Sequence, residues 1–365
     1  MRDLKLGIGQ LLIIGFDGTE MSPRLASLLS RIQPAGVILF ARNITGGEQT
    51  HRLLRDCQKQ VTTPLFTCVD LEGGTVDRFG NVLGPAPSPA QVFATGHRQL
   101  FRKHGRIIGA NCRALGFNVD FAPVLDLAFE ASRSVMSSRA VSADPKQVVA
   151  YAREFLRGLG DAGVLGCGKH FPGLGEANLD THYELPSVEK PLKKLWNEDL
   201  VPYRTLRREL PFVMVSHAAF PAVTKDCTPA SLSKKWITDI LRKKIGYRGL
   251  ICSDDLEMGG VLAAAPIEQA AIGHIRAGGD LGLICHQEDF IVRAYEAMVR
   301  ETERDRRFAR RVQESSRRVL AFKKKWTQRR APVPTAAKTE KLSRRLWEFG
   351  EEIRLATLDR QERSA

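Results

Sequence analysis

The sequence has no long hydrophobic run, and this absence excludes proteins that span a membrane. No stretch of the 365 residues approaches the ~18 consecutive apolar side chains of a transmembrane helix. The first residues mix charges with glycine and lead into only a short apolar run, which is a poor match to a secretory signal. We therefore expect a cytoplasmic protein without membrane insertion.

Cysteines with the spacing of a metal site or a disulfide framework are also lacking. The seven cysteines form an odd set without a C-x-x-C pair, and no cysteine–histidine cluster has zinc-ligand spacing. Cys68, Cys167, Cys252 and Cys285 lie inside apolar runs. Such thiols are typical of buried, free cysteines in a reducing compartment. We expect no disulfide, no metal and no cofactor.

Acidic residues are too few to balance the basic ones, and the excess of positive charge is unevenly distributed along the chain. The chain carries 55 Lys+Arg against 41 Asp+Glu, a formal charge of +14. Residues 301–365 alone contribute +9, which leaves +5 for the first 300 residues. Because the basicity is concentrated near the C-terminal end, it is weak support for a nucleic-acid partner.

Eight short apolar runs recur before residue 290 and alternate with segments of helical period. Most of the runs are continuously apolar, as in parallel strands that are covered on both faces. Eight strands that alternate with helices predict an α/β fold, the (β/α)8 barrel of TIM type, rather than a doubly wound sheet. The predicted strands are Leu11–Phe16, Gly36–Phe40, Leu65–Asp70, Asn118–Val124, Gly163–Phe171, Phe212–His217, Gly249–Asp255 and Leu281–Cys285.

After the last predicted strand the pattern becomes helical, and a proline-containing linker at Ala331–Thr335 follows. We predict one catalytic barrel domain over residues 1–326, followed by a basic linker and an amphipathic C-terminal helix over residues 327–365. The helix is expected over residues 340–358, with its apolar stripe packed on the protein itself. That stripe contains Leu342, Leu346, Trp347, Phe349, Ile353 and Leu358.

Several predicted strands end in a polar residue that is capable of chemistry. The carboxyl ends of the strands of a (β/α)8 barrel meet on one face, where active sites lie. Capping at a solvated rim would explain one such residue, but four strand ends of this kind favour an active site. The residues are Asp70, the pair Lys169 and His170, His217, and the pair Asp254 and Asp255.

The segment from Lys169 to His182 is the most unusual in the chain. A strand cannot continue through its Pro-Gly-x-Gly stretch, so its second half is predicted to be a loop at the rim. Asp180 is close enough in sequence to bond the imidazole of His182, which favours the charged imidazole and suits a proton donor. An Asx turn with an exposed histidine fits the bare Asp-x-His pattern as well.

Two further acidic segments are candidates for chemistry. Asp254 and Asp255 point to opposite faces of a strand end, so one carboxylate can face the barrel axis as a nucleophile or a cation ligand. Helix capping by Asp255 beside a solvated Asp254 explains the pair equally well. Asp70, Glu72 and Arg78 surround a Gly-Gly turn and suit a hydroxyl-rich ligand. These acids could alternatively hold Mg²⁺, but the nearby basic residues argue against a metal.

Taken together, these segments resemble glycoside hydrolase family 3, in particular its single-domain bacterial β-N-acetylglucosaminidases. The matching motifs are K-H-F-P-G-x-G-x₄-D-x-H, V-D-x-E-G-G-x-V-x-R-F and S-D-D-L-x-M, with G-V-I-L-F-A-R-N and N-V-D-F-A-P-V-L-D beside them. The similarity runs in order from about residue 9 to about residue 325. Leu71, Thr75 and Leu174 depart from it, since such proteins commonly carry Gln, Arg and a second His there.

The resemblance implies a role for each matched residue. Asp254 would be the nucleophile, His182 the general acid/base, and Asp180 the partner that orients His182. The implied sugar-binding residues are Asp70, Arg78, Arg139, Lys169, His170 and His217.

The implied activity is that of a retaining exo-glycosidase. It would release terminal non-reducing β-linked N-acetylglucosamine from a small saccharide or muropeptide, here anhydro-muropeptides of cell-wall recycling. A family 3 β-N-acetylglucosaminide phosphorylase or β-glucosidase is the alternative, since a histidine acid/base would not repel phosphate. The non-enzymatic alternative is a sugar- or nucleic-acid-binding barrel. We expect a monomer without a nucleic-acid partner.

Overall fold

The computed structural model describes residues 7–177, 185–326 and 333–364, and a closed barrel of eight parallel strands lies at its centre. Each strand pairs in parallel with its neighbours in the chain, and the last strand pairs with the first. The predicted (β/α)8 barrel is confirmed, and each predicted run contains one barrel strand. The strands are β1 Leu12–Ile14, β2 Gly36–Ile38, β3 Phe66–Val69, β4 Val119–Asp120, β5 Leu165–Phe171, β6 Phe212–Val215, β7 Leu250–Asp255 and β8 Leu281–Ile284.

Helices cover the outside of the barrel, and the sequence marks where several of them begin. Ser22 accepts a hydrogen bond from the Leu25 amide, and Asp144 accepts one from the Lys146 amide, each just before a proline in the first turn. The longer helices are α1 Pro23–Ile32, α2 Gly47–Lys59, α3 Arg98–Leu115, α4 Pro145–Asp161, α5 Lys235–Lys244, α6 Ile267–Ala277, α7 Glu288–Arg304, α8 Arg306–Lys325 and α9 Ala336–Ser364.

Short helices and a hairpin fill the longer connections between strands. The antiparallel hairpin of Leu71–Gly73 and Val76–Asp77 follows β3 directly. The short helical segments are Ala41–Asn43, Gly80–Leu83, Pro89–Ala94, Glu130–Ser132, Arg133–Met136, Leu192–Asn197, Val201–Leu206, Pro221–Thr224, Ala230–Leu232 and Gly259–Leu262. No helix in the described ranges combines the length and the hydropathy needed to cross a bilayer.

Aromatic side chains fill the amino end of the barrel. Phe66 and Phe212 are the first residues of β3 and β6, and their ring centroids lie 5.3 Å apart in an edge-to-face contact. Phe322 of α8 lies 5.6 Å from Phe212. Because α8 covers this end, the opposite end, where the strands finish, is the one that carries a site.

Helix α9 packs on the outer layer of the barrel. Leu346 and Phe349 are buried in the same core as α3, and the Phe349 ring lies 5.8 Å from that of His104. Burial alone lowers the pKa of His104 to about 3, so this imidazole is neutral. Trp347 and Leu358 were predicted in the buried stripe, but they are 68% and 44% exposed. The prediction was wrong for these two because helical periodicity places them on the opposite face.

The two aromatic residues of α9 allow a matched test of this packing. Phe349→Ala should lower the free energy of unfolding by about 3–5 kcal/mol, because it empties a filled core position. Trp347→Ala should change it by less than about 0.5 kcal/mol, since that side chain is mostly in solvent. Urea denaturation of both variants measures the difference. Equal losses would show that α9 does not contribute to the core through Phe349.

Candidate active site

The carboxyl ends of the barrel strands bring several of the predicted polar residues together. Asp70 follows β3, Lys169 and His170 lie near the end of β5, and Asp254 lies near the end of β7. His217 follows β6 by two residues. These residues therefore surround one opening of the barrel, as the strand-end pattern predicted.

Glu72 is at the centre of a buried ion cluster in this opening. The Nζ of Lys169 lies 2.6 Å from Oε1 of Glu72 and 2.7 Å from Oδ1 of Asp70. Arg139 donates from Nε and Nη2 to the two oxygens of Glu72, both at 2.8 Å. Burial tends to raise the pKa of Glu72, but Arg139 and Lys169 together hold it far below its ordinary value. The cluster thus fixes two predicted sugar-binding cations.

Glu72 was predicted only as part of a segment that suits a hydroxyl-rich ligand, and the family resemblance gave it no role of its own. Its position depends on a tight turn, in which Gly73 and Gly74 have φ angles of +89° and +63°. A Cβ at Gly73 would lie 2.2 Å from the Pro87 carbonyl oxygen, so another residue would not fit there. Asp120 supports the same hairpin by accepting a hydrogen bond from the Leu71 amide at 2.9 Å. The Gly-Gly after an acidic residue was the sequence signal for this arrangement.

A second buried carboxylate, Asp126, positions His170. Its Oδ2 lies 2.7 Å from Nδ1 of His170, and its Oδ1 accepts a hydrogen bond from the Leu174 amide at 2.8 Å. Nη2 of Arg139 lies 3.4 Å from the other ring nitrogen of His170, which joins this pair to the Glu72 cluster. Asp126 was not predicted as a site residue, although it ends a segment that carried the family resemblance.

The two carboxylates at the end of β7 point in different directions, as their alternation predicted. Oδ1 of Asp254 accepts a hydrogen bond from the Asp255 amide at 2.9 Å. Asp255 instead accepts the Glu257 amide at 3.1 Å and lies 3.3 Å from Nε2 of His286. The Nε2 of His217 lies 2.8 Å from the backbone carbonyl oxygen of Asp255. Asp254 is therefore free of a side-chain ion pair in the described parts of the chain.

The surroundings of Asp254 keep its carboxyl group ionised. Burial tends to raise its pKa, but His170, His217, the Asp255 amide and Lys169 lower it by a larger amount in total. The pKa of Asp254 is consequently below its ordinary value. At His217 burial lowers the pKa below its ordinary value, although Asp254 and Asp255 raise it in part. An ionised and unpaired carboxylate is what a nucleophile at carbon requires.

Arg78 lies apart from the Glu72 cluster, against an aromatic ring. Its guanidinium carbon is 5.6 Å from the ring centroid of Phe40, and the Arg42 guanidinium and the His286 ring approach the same ring at 4.7 Å and 5.1 Å. Its Nε is buried and has no hydrogen-bond partner in the described ranges. Arg78 therefore keeps its Nε donor available for a ligand. In Arg139 the corresponding Nε donates to Glu72.

Two of the predicted catalytic residues cannot be placed. Asp180 and His182 lie outside the described residues, which stop at Ala177 and resume at Leu185. Within the described ranges, no group of three or more His, Cys, Asp or Glu side chains is arranged to hold a metal ion. The described site therefore consists of one ionised carboxylate facing a network of buried cations and carboxylates, a combination that suits hydroxyl groups.

Comparison with known proteins identifies the family. The family model of the glycosyl hydrolase family 3 N-terminal domain matches residues 3–322. A beta-hexosaminidase of Idiomarina loihiensis is 33% identical over 296 residues, which cover 80% of this chain and 88% of that protein. One from Bordetella parapertussis is 38% identical over 262 residues, or 70% of this chain and 73% of that protein.

Solved structures give the same result. A glycoside hydrolase family 3 beta-N-acetylglucosaminidase from Paenibacillus sp. str. FPU-7 matches with a TM-score of 0.88 and 31% identity, over 95% of this chain and 68% of that one. A beta-glucoside phosphorylase shares the fold at 22% identity, with a TM-score of 0.83 over 96% of this chain and 64% of that one. With a family match over most of its length, the chain belongs to glycosyl hydrolase family 3 and is a glycoside hydrolase.

Proposed function

We propose that this glycoside hydrolase is a retaining exo-β-N-acetylhexosaminidase that releases terminal, non-reducing β-linked N-acetylglucosamine. The observation that carries the proposal is Asp254 at the barrel opening, beside the cations and carboxylates of the Glu72 cluster. The lowered pKa of Asp254 favours the ionised carboxylate, which has no side-chain ion pair in the described parts of the chain. Relatives named beta-hexosaminidase at 33% and 38% identity support the choice of sugar.

In this proposal catalysis takes two steps. The Asp254 carboxylate attacks the anomeric carbon while the bond to the leaving oxygen breaks and His182 gives that oxygen its proton. His182 then takes a proton from water, which attacks the same carbon and releases Asp254. Asp180 holds the imidazole of His182 in the orientation that both transfers need.

Substrate binding is the second part of the proposal. Lys169 and Arg139 are already held by Asp70 and Glu72, so each retains only part of its hydrogen-bonding capacity for a ligand. Such a mixture of held donors and acceptors suits the hydroxyl groups of a neutral sugar. Arg78 adds a donor, since its Nε has no hydrogen-bond partner in the described ranges. We place the natural substrate among peptidoglycan-derived anhydro-muropeptides in the cytoplasm, and the active form as a monomer.

The first test concerns the nucleophile. Asp254→Ala should abolish hydrolysis of 4-nitrophenyl N-acetyl-β-glucosaminide, because no covalent intermediate can form. Mass spectrometry after reaction with a 5-fluoro glycosyl fluoride should show a glycosyl adduct on the wild type and none on the variant. Asp239→Ala, at an aspartate that is 42% exposed on α5, serves as the control. Full turnover by Asp254→Ala would contradict the assignment.

The second test concerns the acid. His182→Ala should lose about 10²–10⁴-fold in kcat with a methyl glycoside, the usual contribution of general acid–base catalysis. The loss should be smaller with the 4-nitrophenyl glycoside, whose leaving group needs little protonation. The same assays with added phosphate, analysed for the sugar 1-phosphate, separate hydrolysis from phosphorolysis. An equal loss with both substrates would exclude His182 as the acid.

The third test uses pH. Since the nucleophile must be ionised, activity falls as the pH decreases through the pKa of Asp254, and the lowered pKa places this acidic limb below the ordinary range of an aspartate. Removing the influence of His170 should raise that pKa. His170→Asn should therefore shift the acidic limb of the kcat/KM profile to higher pH, whereas His97→Asn, at an exposed position, should leave it in place. An unshifted limb in His170→Asn would refute this electrostatic account.

A further inference from the structure

Asp120 is a fully buried acidic residue behind the hairpin that carries Glu72. It is the last residue of β4, and none of its surface is exposed. Val119 lies in the inner core of the barrel, so the next side chain along the strand points to the outer side, toward the helices. The titratable groups on that side are the Cys112 thiol of α3 and the Tyr151 hydroxyl of α4. Burial raises the pKa of each, and acidic groups that include Asp120 raise it further.

The two oxygens of the Asp120 side chain have different surroundings. Oδ1 accepts a hydrogen bond from the Leu71 amide at 2.9 Å. Oδ2 is buried and has no hydrogen-bond partner in the described ranges, and the carboxyl group forms no ion pair with the residues described there. A buried carboxylate ion is costly unless it is paired and fully hydrogen-bonded. This environment therefore suits the protonated, neutral form of Asp120 better than the ion.

The cations of the neighbouring Glu72 cluster are already bound by other carboxylates. The Nζ of Lys169 lies 2.7 Å from Oδ1 of Asp70 and 2.6 Å from Oε1 of Glu72. Arg139 donates to both oxygens of Glu72. Two cations and two carboxylates thus balance one another. An ionised Asp120 would add a third negative charge, and it would compete with this pairing for Lys169.

The charges around Asp120 also favour its neutral form. Burial raises the pKa of its carboxyl group well above the ordinary value. The Leu71 amide and Lys169 lower that pKa in part. The carboxylates of Asp70 and Glu72 act in the other direction, because negative charges nearby disfavour a further ionisation.

We propose that Asp120 is a positioning residue that acts as a neutral carboxylic acid and holds the Glu72 hairpin through the Leu71 amide. Because it is neutral, it leaves Lys169 to the two carboxylates of the cluster. With none of its surface exposed, Asp120 acts on a substrate only through this hairpin. The inference requires the glycoside hydrolase activity of the family, but it requires no role for Asp254 or His182.

The first test compares substitutions at two buried aspartates. Asp120→Asn keeps the acceptor for the Leu71 amide and replaces a neutral group by another of the same shape. Its kcat/KM, with the aryl glycoside that the wild type hydrolyses fastest, should stay within about threefold of the wild-type value. Asp120→Ala removes the acceptor and should lower kcat/KM about tenfold, mainly through a higher KM, since the hairpin serves binding.

Asp126 is the matched comparison for this test. Its Oδ2 lies 2.7 Å from Nδ1 of His170, so here the charge of the carboxylate matters. Asp126→Asn should lower kcat/KM by about 10- to 100-fold, the cost of a misplaced binding group. If Asp120→Asn lost as much activity as Asp126→Asn, Asp120 would act as an ion and the inference would be wrong.

The second test measures stability against pH and does not depend on activity. A carboxyl group whose pKa is raised by folding contributes stability at low pH, and that contribution is lost as the pH rises toward the raised pKa. Asparagine does not titrate. The melting temperature of Asp120→Asn, relative to that of the wild type, should therefore increase between about pH 4 and about pH 8. A difference that is independent of pH, or that decreases, would overturn the inference.

Infrared spectroscopy detects the proton itself. At about pH 7, well above the ordinary pKa of an aspartate, the difference spectrum of wild type minus Asp120→Asn should contain the carbonyl stretch of a protonated carboxylic acid. Carboxylate bands alone in that spectrum would refute the neutral acid, even if Asp120→Asn is active. This measurement and the asparagine variant decide the question if Asp120→Ala does not fold.

Discussion

The two-point contact between Arg139 and the buried carboxylate of Glu72, completed by Lys169, is the interaction on which the rest of the site depends. These three side chains come from the hairpin after β3, the connection between β4 and α4, and the end of β5. Breaking such a buried set by removing one partner leaves an uncompensated charge in a low-dielectric interior, which is costly. The cluster therefore holds the hairpin after β3, the connection between β4 and α4, and the end of β5 at fixed distances from one another. His170, next to Lys169 and in contact with Arg139, takes its position from the same arrangement.

Electrostatics also determine which carboxylate is available for chemistry. Glu72, Asp70 and Asp126 are each used by a neighbouring cation or imidazole, whereas among the described residues Asp254 receives a hydrogen bond only from the amide of the next residue. The positive groups around it lower its pKa. A carboxylate that is ionised and yet uncommitted is uncommon in a buried region. This contrast among similar side chains separates Asp254, the proposed nucleophile, from the carboxylates around it.

The fold was predictable because its signal is local: each barrel strand is a continuous apolar run, and eight such runs alternate with helices. The strand-end residues Lys169, His170 and Asp254 were predictable for the same reason. Asp126 was missed as a site residue, and the ion pairs of Glu72 were not predicted, because these contacts involve partners far along the chain: His170 for Asp126 and Arg139 for Glu72. Trp347 was wrongly predicted to be buried, because it was assigned to the apolar stripe from its residue type and not from its position on the helix face. The roles of Asp180 and His182 stay predictions, since both residues lie outside the described ranges.

Helix α9, at the end of the described chain, packs against the connection between β3 and β4. Its Leu346 and Ile353 lie with Leu83 and Ala86 in one groove, and the next residue of that connection, Pro87, supports the turn at Gly73 beside Glu72. During synthesis this apolar groove stays uncovered until residues 336–364 have been made, although the barrel strands beside it are already complete.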